Sequence, residues 1–385
     1  MDEAFWHGRR HRRTGLGANG LVLALAAGTA VAVAVLWPHG RLGSGIPTPA
    51  TVGATVERVL ATTCPAPGAH GCRRVEFSLG GGRQGSFTIV GAQGVALAAG
   101  DAIRVYANAP QAARAIGRWS FADFDRRSAL LWLAAAFAAL LLLTARFRGL
   151  RALLGLVASL VVVVEFVIPA ILHGRSPVAV AVAGAFAVML LTMPLTYGLG
   201  PKMLAALLGT GVSLLVAAGL ADVAAGLAHL SGASEETLYL VSTQSTISLR
   251  GLLVAGMVIG ALGVLVDLTV SQAATVMALR RANPRLGFGG LFREAIDVGH
   301  DHIAATVNTL VFAYAGAALP TLLIFTIGHV TFTDAVNGEA VATEVVAALV
   351  GSIGLILSMP LTTALAAFLA ERMDADALPE HAHSH

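Results

Sequence analysis

Charged side chains are scarce in this sequence. They make up 12% of its 385 residues, lysine occurs only as Lys202, and the mean hydropathy is +0.77. This composition is far too apolar for a soluble protein and predicts a polytopic α-helical membrane protein. The net charge of +3 comes from arginines, many of them beside apolar segments. Such arginines report membrane topology, and we expect no nucleic acid partner.

Motifs for nucleotide or covalent chemistry are also missing. The sequence has no Walker loop, nucleophile elbow, dinucleotide fingerprint or internal repeat. An ATP-driven pump and an enzyme are therefore unsupported, and we expect no cofactor. The tail contains His381, His383 and His385, but a short histidine tail is most often solvated, so we expect no metal site there.

Eight apolar segments are each long enough to cross a hydrocarbon core of about 30 Å. They are residues 20–37, 128–145, 150–172, 177–197, 203–228, 249–279, 303–328 and 341–370. The first segment could instead be a cleaved signal peptide, but no Ala-x-Ala site follows it, so we favour an uncleaved anchor.

Arginines and the single lysine predict the orientation of these segments. They lie at positions 9–13, in the loops 146–151 and 198–202, and at 280–293. If successive apolar segments cross the membrane in opposite directions, all four regions lie on the same side of it. Positive residues favour the cytoplasmic side. The sequence therefore predicts a bacterial plasma membrane protein with residues 1–19 and the tail, 371–385, in the cytoplasm.

A soluble region lies between the first two segments, within residues 38–127. A linker rich in glycine and proline, 38–49, leads into predicted strands at 51–61, 73–79, 85–90 and 101–107. The sequence therefore predicts a small extracytoplasmic β-barrel-like domain. Cys64 and Cys72 are the only cysteines; we expect a disulfide in this oxidising compartment, with two free thiols as the alternative. Trp119, Phe121, Phe124 and Trp132 follow as a predicted aromatic belt at the outer interface.

The most informative residue is Asp267, which lies inside an apolar segment. It is roughly 20 Å from Arg280 and 25 Å from Arg250 along a helix, too deep to sample water at an edge, and it must face protein or a hydrated cavity. Gly256, Gly260 and Gly263 lie on the same side of the helix, within an arc of about 80°. The glycines predict close helix packing, and the burial of Asp267 predicts a raised pKa.

A second polar stripe begins just after the arginine-rich loop. Glu294, Asp297, Asp301 and Asn308 lie within about 60° on a helical wheel, with His300 beside them. For Glu294 an amphipathic interfacial helix is the simpler explanation, whereas Asp301 and Asn308 lie deeper. The two stripes could meet and share protons or a cation, with His300 able to titrate near neutrality.

Glu165 is a further acid within an apolar segment. It lies in the outer half of the third segment. It could belong to an exit path or be neutral and hydrogen-bonded.

Three motifs stand out in the second half of the chain: Gly-Ala-Leu-Gly-Val-Leu-Val-Asp at 260–267, Asn-Pro at 283–284, and Gly-His-Asp-His-Ile-Ala-Ala-Thr-Val-Asn at 299–308. Through these motifs, residues 149–370 resemble the YibE/F family of bacterial membrane proteins. The resemblance implies a multi-spanning envelope protein with a six-helix core and assigns no substrate or reaction. A weaker similarity, Gly-x-x-Val-Asp followed by Thr-x-Asn-Thr, links this core to the RND and SecD/SecF group, where acids in these helices carry protons. The loop at 173–177 is too short for the porter domain of that group.

These observations predict a secondary transporter or proton-driven envelope protein. Asp267 is the predicted proton or cation carrier, and Asp297, His300, Asp301 and Asn308 line the inner access path. The alternative is a non-transporting scaffold or sensor whose external domain binds a partner; an intramembrane hydrolase ranks last because no nucleophile has a recognisable base. We expect as partners the lipid bilayer, a small-molecule, ion or lipid substrate, and an envelope protein or second copy.

Overall fold

The computed structural model describes residues 3–38, 50–64, 70–90, 96–234, 237–239, 242 and 246–372, with the backbone alone at 3–19, 112, 115 and 116. The chain forms two compact units. One comprises Met1–Leu42 with Leu150–His385, and the other is Gly43–Gly149. Most of the predicted linker and the histidines of the tail lie outside the described residues.

Helices dominate the chain, and strands occur only in its second unit among the described residues. In chain order the elements are α1 (Glu3–Leu36), β1 (Thr51–Ala61), β2 (Arg73–Leu79), β3 (Arg83–Ile89), β4 (Ala102–Ala107), α2 (Pro110–Ile116), β5 (Trp119–Phe124), α3 (Arg127–Val162), a π-helical turn (Val163–Val167), α4 (Ile168–Leu172), α5 (Pro177–Tyr197), α6 (Pro201–Leu227), α7 (Leu249–Ala282), α8 (Phe288–Ile327), α9 (Phe332–Asn337) and α10 (Glu339–Glu371).

Six helical segments of the described residues are long and apolar enough to cross a membrane. They are Arg127–Leu172, Pro177–Tyr197, Pro201–Leu227, Leu249–Ala282, Phe288–Ile327 and Glu339–Glu371. A helix satisfies every backbone polar group internally, as lipid requires. The prediction of a polytopic α-helical membrane protein is therefore confirmed. The apolar part of α1, Gly20–Leu36, is shorter, and the count of eight spans stays a prediction.

Helix α3 contains a sharp turn at Arg146, where the backbone has φ 48° and ψ −124°. A Cβ on Gly149 would lie 2.5 Å from the carbonyl oxygen of Leu141. These residues would be about 12 Å apart in a straight helix, so the chain changes direction between them. The turn separates the two apolar segments that the sequence predicts here, 128–145 and 150–172.

The helical unit is packed most densely where α6, α7 and α10 meet. In lipid there is no hydrophobic driving force between helices, so they associate through close packing. Small residues allow that packing because they let two helix backbones approach each other. A Cβ on Gly354 of α10 would lie 3.3 Å from the Cβ of Ala217 on α6. A Cβ on Gly209 of α6 would collide with the hydroxyl of Thr362 on α10, so this crossing requires glycine.

The second unit contains a five-stranded antiparallel sheet in the order β3-β2-β1-β4-β5. The end strands β3 and β5 also contact each other, so the sheet curls into a half-barrel. Val75, Phe77, Ile103 and Val105 alternate with polar residues and fill its interior. The predicted small β-barrel-like domain is confirmed as a half-barrel, and its four predicted strands are present to within two residues at each end.

A disulfide joins Cys64, just after β1, to Cys72, just before β2. The backbone N–H of Thr62 donates a hydrogen bond of 3.0 Å to the carbonyl of Cys72, so the two strands are paired at the same point. At the other end of β2, Gly81 and Gly82 have φ of 83° and 76° and form the turn to β3, since glycine adopts positive φ at little cost. The predicted disulfide is confirmed.

The predicted aromatic belt is wrong for three of its four residues. Trp119, Phe121 and Phe124 belong to β5, a strand that the sequence analysis missed, and they pack on the interior of the half-barrel. Trp119 meets Phe77 edge to face at 6.0 Å. Trp132 lies on α3 and is 76% exposed, and its place at the outer interface stays a prediction.

We predict that Cys64 and Cys72 stay bonded in protein purified without reductant. Alkylation under denaturing conditions should then modify neither thiol, as measured by mass spectrometry. Replacing both by serine should destabilise the half-barrel by about 2 kcal/mol, because the unfolded chain regains the freedom of a short loop. Two alkylated thiols in the native protein would contradict the disulfide.

Candidate functional site

Helix α7 buries neutral polar side chains deep in the helical unit. The hydroxyls of Thr269 on α7 and Thr210 on α6 are 2.6 Å apart. The amide of Gln272 on α7 donates to the carbonyl of Ala295 on α8 at 2.6 Å and to the hydroxyl of Thr363 on α10 at 2.8 Å. These bonds tie α7 to three other helices and fix which of its faces points inward.

Asp267 lies on the opposite face of α7. Its side chain is 72% exposed, so the prediction that this carboxylate is buried does not hold within one chain. The physical reason is helical periodicity: Thr269 is two positions further on, about 200° around the helix. Because the neutral polar residues occupy the packed side, the carboxylate is turned away from it.

His302 on α8 is the residue that faces Asp267. Its Nε2 lies 3.9 Å from Oδ2 of Asp267, too far for a hydrogen bond but close enough for a charge interaction. This nitrogen is enclosed and has no hydrogen-bond partner among the described residues. The two side chains therefore place a carboxylate and an imidazole next to each other, near the middle of α7.

The sequence pattern indicated His300, whereas the structure places His302 beside Asp267. The two positions differ by about 200° on a helix, so only one of them can face α7. Ala295 is buried and lies seven residues before His302, on the same helical face. The small residues Ala295 and Gly299 mark the packed side of α8, and this signal in the sequence could have identified His302.

The predicted acidic stripe lies elsewhere on α8. Asp297, His300, Asp301 and Asn308 are all exposed. None of them is joined to Asp267 by a hydrogen bond or an ion pair in the described part of the chain. These four residues are therefore not bonded to Asp267 in the described part of the chain, and their role in an inner access path stays a prediction.

The glycines beside Asp267 border open space in the single chain. A Cβ on Gly256 or Gly263 would meet no atom within 4 Å, whereas one on Gly260 would lie 3.3 Å from the hydroxyl of Tyr314 on α8. The predicted helix packing at Gly256 and Gly263 therefore requires a second molecule and stays a prediction. Within one chain these glycines leave the backbone of α7 uncovered beside Asp267.

Glu165 lies in the π-helical turn that precedes α4, and it is exposed. Such turns widen a helix locally and are frequent at functional sites. Glu165 has no described contact with Asp267 or His302. The Asp267–His302 pair is thus the candidate site, and no three His, Cys, Asp or Glu side chains gather as a metal site among the described residues.

Comparison with known proteins gives one match. The family model described as YibE/F-like protein matches residues 133–372, which include Asp267, His302 and all of α4–α10. No curated protein and no solved structure matches the chain.

The orientation of α7 gives a testable prediction for Gln272. Gln272→Leu keeps the size of the side chain but removes its two buried hydrogen bonds, worth about 0.6 kcal/mol each inside a membrane. The melting temperature in detergent should fall by a few degrees. Ser271→Ala is the matched control, since its hydroxyl makes no described hydrogen bond. A Gln272→Leu protein as stable as this control would show that the network does not hold α7.

Proposed function

The chain belongs to the YibE/F-like family, and we propose that it acts as a secondary transporter or proton-driven envelope protein in the bacterial plasma membrane. Asp267 carries the proton or cation, and His302 shares it. The observation that supports this most is the 3.9 Å approach of the two side chains, far from either end of a 34-residue apolar helix.

A membrane makes a charge on Asp267 energetically costly. An ionised carboxylate at the centre of a membrane helix costs about 3 kcal/mol, and the fold of a single chain does not cover this one. Asp267 therefore needs a proton, a cation or water. The neighbouring imidazole of His302 can accept or donate a proton.

Access from the cytoplasm would run along the first half of α8. Asp297, His300, Asp301 and Asn308 are exposed there, which keeps them available to water. Glu294 lies one turn closer to the helix start and is also exposed. We assign it to the hydrated interface, where a carboxylate is simply solvated.

The proposed topology has eight spans, with both termini in the cytoplasm and the half-barrel outside. The turn at Arg146 divides Arg127–Leu172 into two segments, and α1 supplies the remaining span. The arginines at 146, 148 and 151 then lie in a cytoplasmic loop, as do those at 280, 281 and 285.

Single cysteines test this topology, because the native pair is already bonded. Arg148→Cys and Arg281→Cys should react with a membrane-impermeant maleimide only in inside-out vesicles. Arg73→Cys, on the exposed side of β2, is the opposite control and should react in intact cells. Labelling of both arginine positions only from the outside would reverse the orientation.

Substitutions at three acids test the function. Asp267→Asn is nearly isosteric, and Asp267 makes no described hydrogen bond, so we expect normal folding but no complementation of a deletion strain. Asp301→Asn should impair complementation, and Glu294→Gln should change little. Detergent melting of each variant separates lost activity from lost stability.

The scaffold or sensor alternative predicts another pattern. Its support is the half-barrel, a compact unit with its own core and disulfide. If the helices only anchored this unit, the Asp267→Asn protein would complement fully. That result would remove the proton-carrier proposal.

A further inference from the structure

Glu344 is another acid inside a membrane-length helix, and the candidate site does not use it. It lies on α10, about 8 Å beyond the helix start, and is partly buried. In the described part of the chain it has no hydrogen bond or ion pair. Glu339, five residues earlier, differs: its carboxylate accepts hydrogen bonds of 2.7 Å from the backbone N–H groups of Ser231 and Gly232. Glu339 therefore braces the fold, whereas Glu344 has no such role.

Tyr314 connects the surroundings of Glu344 to α7. The Tyr314 hydroxyl lies against the bare backbone of Gly260, where an added Cβ would be 3.3 Å from it. Gly351 of α10 lies beside Leu310 of α8, since its added Cβ would be 3.6 Å from a Leu310 methyl. Because these two helices run in opposite directions, Glu344 lies beyond Tyr314, towards the start of α10.

The uncovered face of α7 continues from Gly260 to Asp267. From Gly260 to Asp267 is about 10 Å along the helix, and Gly263 between them borders open space. The glycines have no side chains that could block this stretch. Glu344, the Tyr314 hydroxyl, the uncovered glycine backbone and Asp267 thus form a polar line from the start of α10 to the middle of α7.

We propose that Glu344 and Tyr314 line the outer entry through which water and protons reach Asp267. This inference rests on the proposed function and adds the outer half of the proton path to Asp267. Glu344 accepts the proton near the outer surface, and the Tyr314 hydroxyl holds water against α7. Glu344 is a positioning and relay residue here, and Asp267 remains the carrier.

Accessibility of position 344 tests the entry directly. Glu344→Cys in right-side-out cells should react with a small charged methanethiosulfonate at least about ten times faster than Val345→Cys, because only a hydrated thiol ionises and reacts. Val345 is the matched control: it has the same depth, is 38% exposed, and points about 100° away. Equal rates, or reaction of Glu344→Cys only from the cytoplasmic side, would overturn the entry.

Complementation separates this inference from the proposed function. We expect Glu344→Gln and Tyr314→Phe each to reduce growth complementation about a hundredfold relative to wild type, the lower end of the range for one lost proton-transfer group, with unchanged melting temperatures. Loss of activity in Asp267→Asn but full activity in both other variants would overturn the entry and leave the carrier. Full activity of Asp267→Asn would remove the carrier and, with it, the entry.

Discussion

The hydrogen bonds of Gln272 and Thr269 fix the orientation of α7 about its own axis, and the candidate site depends on that orientation. These side chains bond to α6, α8 and α10, so the face that carries them must point into the helical unit. Asp267 is then directed to the other side, towards His302. Neutral polar residues suit the buried face because hydroxyl and amide groups can be satisfied by neighbouring helices, whereas a carboxylate there would require a buried counter-charge.

The Asp267 side chain points away from the packed helices, and this changes the chemistry that it can perform. In the packed core, neighbouring helices would separate this carboxylate from water. It lies at the edge of the helical unit, beside a glycine-lined stretch of backbone and an enclosed imidazole nitrogen, and the proposed path gives it access to water from both sides. The acids of α8 and Glu344 of α10 lie at opposite ends of the proposed path, and the Asp267–His302 pair lies between them.

The sequence predicted the parts of the fold that depend on local patterns. Apolar length located the helices, alternation located β1–β4, and the position of Cys64 and Cys72 in an external region predicted their bond. It missed β5 because aromatic residues next to an apolar helix resemble an interfacial belt, and only pairing with β4 reveals a strand. Asp267 could be singled out from its depth alone. Its exposure, its partner His302 and the position of Glu344 depend on which helix faces pack together, and a single helical wheel does not contain that information.

The most direct test of the account is proton movement through the purified protein. In proteoliposomes with an internal pH-sensitive dye and an imposed membrane potential, the wild-type protein should conduct protons, and the Asp267→Asn protein should not exceed empty liposomes. Equal proton flux through the wild-type and Asp267→Asn proteins, with both correctly folded, would contradict the claim that Asp267 is the carrier.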